Sequence, residues 1–407
     1  MKRVLIFSLN YYPHFIGGAE VAIKEITDRI SSEEIEFHMV TLLMDSVLPK
    51  EERVGNVIVH RIGPAVENPT IADLRRFPLH YAKHLYQFLA AWEALRLHRR
   101  LRFDGMWAMM AHACGIPAGL FKRLAPGVSY LLTLQEGDPP EHIERLARPV
   151  WPLFVRGFRS ADQVQAISNF LLSWARRMGF DGPAEVIPNG VDLARFMRPY
   201  PAEQIDAMKE SLGKKEGELF LVTTSRLVHK NAVDDVIRAM PAMPENVTFL
   251  VYGIGPDEDM LRSLAADLGV SGRVRFMGQI GHAEMPLMLA SCDMFVRPSR
   301  SEGMGNSFVE AMAAGLPVIA TQEGGISDFL YDEVRNPGKE PTGWAVDADS
   351  PAQIAEAVRA IIGSPDAVAR VRETARAMVS ARYDWDTVAK DMRALFARVL
   401  GAPDGVE

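Results

Sequence analysis

The sequence predicts an α/β protein built from two Rossmann-like, doubly wound parallel-sheet domains. Three observations carry this expectation. Short apolar runs alternate with helical patterns along the chain, the rhythm pauses and restarts once near the middle, and 407 residues exceed what one hydrophobic core usually serves. In the first half the apolar runs are Val4–Leu9, Phe37–Leu43, Val57–Ile62, Ser129–Leu134 and Val164–Ser168. They suit parallel strands buried on both faces. Helical stretches lie between them, as at Ala19–Ile30 and Leu79–Leu101. The stretch from Pro188 to Pro201 reads as a linker. The second series follows: Leu219–Ser225, Val247–Gly253, Val274–Gly278, Met294–Ser299 and Pro317–Thr321. The expected division is 1–195 and 196–383. Two such sheets facing a cleft place ligands at the carboxyl ends of their strands.

Composition narrows the class. Apolar residues at 48% and charged residues at 24% are ordinary for a soluble globular protein. A net charge of −7 argues against a general nucleic-acid binder. Cys114 and Cys292 form no CxxC pair, which predicts reduced thiols and a cytoplasmic location. At the start, Lys2 and Arg3 precede an apolar run that stops at Asn10 with no small-residue cleavage pattern, so a first buried strand is expected there. No stretch approaches the ~20 apolar residues of a membrane span.

The strongest motif runs from Ser301 to Thr321. A strand ends near Ser299, a glycine-containing loop follows, and a helix begins near Asn306. Glu302 then sits in the loop and Glu310 on the second helical turn. The helix start offers free N–H groups and a positive dipole end, which suits a phosphate. The two carboxylates are hydroxyl acceptors on either side, one for a hexose and one for a ribose. Gly303 and Gly305 let backbone approach a ligand. A second motif, Ser225–Asn231, puts Arg226 and Lys230 at a strand's carboxyl end, where two cations can neutralise a leaving diphosphate without a metal. A third, Gly17–Glu20, opens a helix with Gly17 and Gly18 after the first strand. Weaker signals are discounted. Gly253–Glu258 lacks the third glycine of a dinucleotide fingerprint. Asp347 and Asp349 spell D-x-D but read as a helix-cap region before Ser350 and Pro351, and Asp257–Asp259 as a first-turn acidic cluster. No metal site is expected, and no histidines have zinc spacing.

These residues resemble glycosyltransferase family 4, retaining enzymes of the GT-B fold, and the likeness covers nearly the whole chain. The E-x7-E signature matches Glu302 and Glu310. The resemblance implies that Glu310 holds the donor ribose and Glu302 contacts the transferred sugar. Gly303, Met304, Gly305, Asn306 and Ser307 then lie near sugar and phosphates, and Gly253 lies in a loop beside the nucleotide. Arg226 and Lys230 match the diphosphate clamp, although Asn231 stands where the family usually has glycine. Gly17 and Gly18 match a glycine-rich loop close to the diphosphate and the acceptor. The implied reaction moves a hexose from a UDP- or GDP-linked donor to a glycan, lipid-linked or small-molecule acceptor. The nucleotide sugar is a substrate, and no metal or other cofactor is required. Retention at the anomeric carbon is implied, with the leaving phosphate taking the acceptor's proton.

One departure stands out. After Ser129–Leu134 the family commonly shows a histidine, and this chain has Gln135-Glu136-Gly137-Asp138. Gln135 can hydrogen-bond an acceptor but cannot exchange a proton; Glu136 or Asp138 could supply a carboxylate. Two other readings therefore stay open: a non-hydrolysing nucleotide-sugar epimerase and a non-catalytic sugar-nucleotide-binding protein. The C-terminal stretch carries Trp385, Val388, Met392, Leu395 and Val399 on one stripe, and the resemblance implies that helix 384–407 packs back on the first domain. Leu79–Arg102 carries Tyr81, Leu85, Phe88, Trp92 and Leu95 on one stripe, flanked by Lys83, Arg96, Arg99, Arg100 and Arg102. The simpler expectation packs that stripe inward. The alternative is an interfacial helix on anionic lipid, peripheral at the inner face of a membrane, which would fit a lipid-linked acceptor.

Overall fold

The computed structural model describes residues 1–14, 17–69, 73 and 76–401. The chain forms two compact units: Met1–Asn189 with Trp385–Glu407, and Gly190–Asp384. The division thus falls at Asn189/Gly190 rather than at 195/196. The intervening residues belong to the second unit because Val191 N–H donates to Tyr383 O at 2.6 Å and Arg195 Nη2 to His282 O at 3.3 Å. The expected linker contains a short helix, Leu193–Phe196, capped by Asp192.

The first unit holds eight strands: β1 (Lys2–Phe7), β2 (Ile35–Leu42), β3 (Glu51–Val54), β4 (Val57–Ile62), β5 (Gly105–Met109), β6 (Ser129–Leu134), β7 (Gln163–Ala166) and β8 (Ala184–Val186). Their order is β3-β4-β2-β1-β5-β6-β7-β8. All neighbours are parallel except the β3–β4 hairpin. The chain builds outward from β1, then crosses to β5, so the topological switch point lies between β1 and β5. Inside the sheet, Trp107 Nε1 donates to Thr133 Oγ1 at 2.7 Å, Thr133 Oγ1 to Gln165 Oε1 at 2.7 Å, and Gln165 Nε2 to Ile187 O at 2.5 Å. This buried line pins β5, β6 and β7 in register, because breaking any link would leave an unsatisfied polar group in the core.

The second unit holds β9 (Leu219–Thr224), β10 (Val247–Tyr252), β11 (Val274–Gly278), β12 (Met294–Arg297), β13 (Val318–Ala320) and β14 (Trp344–Ala345). The order β11-β10-β9-β12-β13-β14 is parallel throughout and places its switch point between β9 and β12.

Five helices matter below: α1 (Gly18–Asp28), α2 (Leu79–Leu101), α3 (Ile116–Leu124), α4 (Asn306–Ala313) and α5 (Trp385–Val399). The apolar stripe of α5 is buried in the core of the first unit with Val4, Ile6, Phe37 and Trp107. The Phe396 ring meets Phe37 and Trp107 edge-on, with centroids 5.8 and 5.2 Å apart.

For α2 the inward-packing expectation is wrong. The buried face is Leu79, Ala82, Tyr86, Ala90, Ala91, Ala94 and Leu97, with Glu93. Tyr81, Leu85, Phe88 and Trp92 stand outward, 59%, 50%, 54% and 65% exposed, and Leu95 is half-buried. Alanines let the helix lie close against α3 and β2, and Tyr86 Oη reaches Ser8 O and Val40 O at 3.0 and 2.9 Å. Phe396→Ala should therefore destabilise the fold by about 3–5 kcal/mol. Trp92→Ala should stay within about 0.5 kcal/mol. Chemical denaturation of the two variants measures the contrast.

Candidate active site

In the second unit the motifs converge on the switch point. The loop after β9 carries Ser225–Asn231, and the loop after β12 carries Pro298–Gly305, which leads into α4. Glu302 is 7% exposed and carries two ion pairs. Lys230 Nζ lies 3.2 Å from its Oε2, and Arg297 Nη2 lies 2.9 Å from its Oε1. Arg297, at the carboxyl end of β12, also donates to Ser307 Oγ at 2.7 Å, Ser299 Oγ at 3.1 Å and Asn231 Oδ1 at 3.2 Å. Asn231 Nδ2 in turn donates to Arg226 O at 2.7 Å. Arg226 itself is exposed. The departure from the family pattern at Asn231 thus has a structural role: its amide ties the Arg226 loop to Arg297.

Arg300 supplies a second tie. Its backbone N–H donates to Lys230 O at 2.7 Å and its guanidinium to His229 O at 2.6 Å. The same side chain pairs with Asp234, Asp235 and Asp349 at 2.9, 3.1 and 2.7 Å. The D-x-D residues are engaged separately, Asp349 by Arg300 and Asp347 by Arg335 at 2.7 Å. Among the described residues no group of three or more His, Cys, Asp or Glu could hold a metal.

Glu310 points to a different need. Burial pushes its carboxyl up to about 7, against an opposing pull from the Arg297 charge, and no described group hydrogen-bonds it. Three hydroxyls at the end of β9, Thr223 Oγ1, Thr224 Oγ1 and Ser225 Oγ, are buried with no partner among the described residues. Two glycines bring backbone together here. Gly253, at φ +142, would place a Cβ 1.7 Å from Ser225 O; Gly324, at φ +62, would place one 2.1 Å from Glu302 O. Gly303 and Met304 are buried, while Gly305, Asn306 and Ser307 at the start of α4 are half-buried.

In the first unit Gly17 and Gly18 are exposed at the start of α1. The Gly17 N–H is not open to a ligand as expected, because Glu20 Oε2 accepts it at 2.8 Å. Glu20 is buried, and desolvation raises its pKa. Glu136 is 1% exposed, and its two oxygens accept the backbone N–H groups of Gln135 and His112 at 3.0 and 3.3 Å. Gln135 Oε1 accepts from Asn189 Nδ2 at 3.2 Å.

The described sites can be set beside known proteins. The family model "Glycosyltransferase Family 4" matches residues 16–195, and "Glycosyl transferases group 1" matches 204–378. The chain belongs to the family 4, group 1 glycosyltransferases. Its two parallel sheets are those of the GT-B fold. A GDP-mannose-dependent alpha-(1-6)-phosphatidylinositol monomannoside mannosyltransferase of Mycobacterium tuberculosis is 33% identical over 240 residues, which are 56% of this chain and 60% of that protein. An uncharacterized glycosyltransferase of Methanocaldococcus jannaschii is 24% identical over 96% of both chains. Sucrose-phosphate synthase from Thermosynechococcus elongatus superposes with a TM-score of 0.80 at 19% identity, covering 99% of this chain and 100% of that one. HepE of Anabaena, in complex with UDP and glucose, gives 0.75 at 19% identity, covering 98% and 100%.

Sequence reasoning on this glycosyltransferase missed Arg297 and Arg300. Their signal was an arginine closing a run of apolar residues at Met294–Ser299, since a cation there needs a buried partner. Glu310 offers a direct test. Its folded-state pKa lies above the ordinary 4.5, so the folded protein holds a proton that the unfolded chain has released between 4.5 and about 7. Its contribution is full below 4.5 and lost as pH rises through 7. Between those values wild type should lose on the order of 2 kcal/mol that Glu310→Gln keeps, less than the full shift implies because the residue retains some solvent contact. Denaturation curves of both proteins across that range check it.

Proposed function

We propose that this glycosyltransferase is a retaining hexosyltransferase that takes its sugar from a UDP- or GDP-linked hexose and passes it to a lipid-linked acceptor. The second unit is the donor unit and the first the acceptor unit. The observation that carries this reading is the cluster at the β9/β12 switch point. There Lys230, Arg297 and Glu302 form one buried charge network beside Glu310, a carboxylate with no hydrogen-bond donor of its own. A ribose hydroxyl supplies what Glu310 lacks, and a hexose hydroxyl reaches Glu302. Departure of the diphosphate leaves an oxocarbenium-like sugar, and that charge separation is the barrier. Lys230 and the exposed Arg226 stabilise the leaving oxygens. Arg297 keeps Glu302 partnered when Lys230 turns to phosphate. The leaving phosphate takes the acceptor's proton on the same face of the sugar, which preserves the anomeric configuration.

The lipid assignment comes from α2. Its outward face sets Phe77, Tyr81, Leu85, Phe88 and Trp92 in solvent, with exposed Arg96, Arg99 and Arg100 toward its end. Large apolar side chains followed by cations suit the interface of an anionic membrane. Among the described residues no helix is long and apolar enough to cross one. The mycobacterial relative named above and a GDP-mannose-dependent monoacylated alpha-(1-6)-phosphatidylinositol monomannoside mannosyltransferase of Corynebacterium glutamicum act on lipids by their names, and the matched stretches span 60% and 53% of those proteins. The epimerase and binding-protein readings make different products.

Two experiments test the proposal. Incubation with UDP- and GDP-hexoses and lipid vesicles should release the free nucleotide diphosphate, in excess EDTA as well as without it. Epimerised donor, unreacted donor, or loss in EDTA restored by Mg²⁺ would each refute part of it. The protein should also float with anionic vesicles at low salt. Replacing Arg99 and Arg100 with Gln should weaken flotation strongly while leaving stability within about 0.5 kcal/mol; Arg96 is kept because it pairs with the buried Glu93.

A further inference from the structure

The switch point of the first unit lies between β1 and β5, and the segment leaving β5 is built unusually. Met110 sits at φ +68, in the left-handed region, and Ala111–Gly115 then form a single π-helical turn. A non-glycine residue at positive φ and a π turn are both uncommon, and they persist where the surroundings over-determine them. The turn buries Ala111, Ala113, Cys114 and Gly115 and leaves the His112 side chain 44% exposed.

Beneath it lies Glu136. Its side chain is fully buried, Oε1 accepts the His112 N–H at 3.3 Å, and the same oxygen is 3.6 Å from His112 Nδ1. Oε2 is taken by the Gln135 N–H at 3.0 Å. Glu136 is therefore walled in and cannot reach a ligand, and the Gln135 amide oxygen is occupied by Asn189. The His112 ring is the exposed polar group of this trio. The buried line Trp107–Thr133–Gln165 holds the β5 and β6 ends on which it stands.

We propose that His112 Nε2 accepts a hydrogen bond from the acceptor hydroxyl that attacks the sugar. Glu136 is its positioning residue: a carboxylate beside Nδ1 places the ring proton there and leaves the Nε2 lone pair outward. This rests on the transfer reading above. As the hydroxyl oxygen bonds to the anomeric carbon, the bond from that carbon to the diphosphate oxygen breaks. The hydroxyl proton passes to that departing oxygen, and His112 orients the hydroxyl without keeping a proton. The carboxylate alternative at Glu136 fails on geometry, because both of its oxygens already serve backbone N–H groups.

The test uses the full chain, whichever nucleotide hexose it turns over, and vesicles of the source organism's lipid extract. The wild-type rate decides the transfer reading, and the ratio of variant to wild type decides this one. His112→Ala should lower kcat/KM for the acceptor about ten- to a hundredfold, the scale of one or two hydrogen bonds. It should leave unchanged the nucleotide-induced thermal shift, which reads donor binding alone. His112→Asn, whose amide oxygen can accept a bond, should recover part of the loss. Glu136→Gln should lower kcat with acceptor KM unchanged. Unaltered transfer in His112→Ala overturns the proposal. So does a loss of the nucleotide-induced thermal shift in step with transfer, which would mark a structural role.

Discussion

The second unit depends on keeping one carboxylate paired where little water reaches it. Glu302 is 7% exposed, and an unpaired charge in such a place would cost several kcal/mol. Its surroundings follow from that constraint. Arg297 takes one oxygen and Lys230 the other, so a strand end and the neighbouring loop must both reach it. Arg297 has more donors than Glu302 can satisfy, and Ser299, Ser307 and Asn231 accept the rest. Asn231 then fixes the backbone of Arg226, and Gly324 brings its chain against the Glu302 carbonyl, where Gly325 N–H donates at 2.9 Å. Buried ion pairs are weak contributors to stability, since well-packed apolar groups often serve as well. A network of this extent is explained by the ligand it prepares for.

Both sheets obey one topological rule. Each begins with a central strand, builds to one side, and then crosses to the other, leaving adjacent loops that diverge at β1/β5 and β9/β12. Gly17, His112 and Glu136 gather at the first opening; Lys230, Glu302 and Glu310 gather at the second. The same geometry separates the tasks. The second opening is rich in fixed charge, which suits a diphosphate and a developing cation. The first is quieter: its buried carboxylates Glu20 and Glu136 are consumed by backbone N–H groups, and the imidazole remains outward.

The fold was legible because parallel strands buried on both faces are uninterrupted apolar runs. Val57–Ile62, Ser129–Leu134 and Val274–Gly278 are strands with the expected ends. Of the strands that escaped notice, β5 has that signature, Gly-Met-Trp-Ala-Met and buried throughout, and was passed over behind the long α2; the other three lack it. β3 is Glu-Glu-Arg-Val on a sheet edge, β8 has three residues and β14 two. The Glu302–Glu310 motif was legible because its spacing spans a loop and a helix start. Arg297 was passed over, because an arginine closing an apolar run signals only that it needs buried partners, and the fold alone brings Asn231, 66 residues away, beside the nearby Ser299, Glu302 and Ser307. The orientation of α2 was misjudged for a general reason. The helix has two apolar faces, one of large side chains and one of alanines with Tyr86. Periodicity locates both but does not rank them. Close packing of a helix on a sheet and a neighbouring helix favours the small face, and the large side chains are left for something else.

That reversal has a counterpart in the second unit. A protein gains nothing by holding Tyr81, Leu85, Phe88 and Trp92 in water, and it gains nothing by leaving Glu310 and the Thr223–Ser225 hydroxyls without partners among the described residues. Each is a local violation of the rules that otherwise govern this chain, and such violations concentrate at functional sites. Ligand binding repairs them in kind. Under the proposed function, a nucleotide sugar would bring the hydroxyls and phosphates that suit the second unit's buried polar groups, and a lipid surface would cover what α2 exposes.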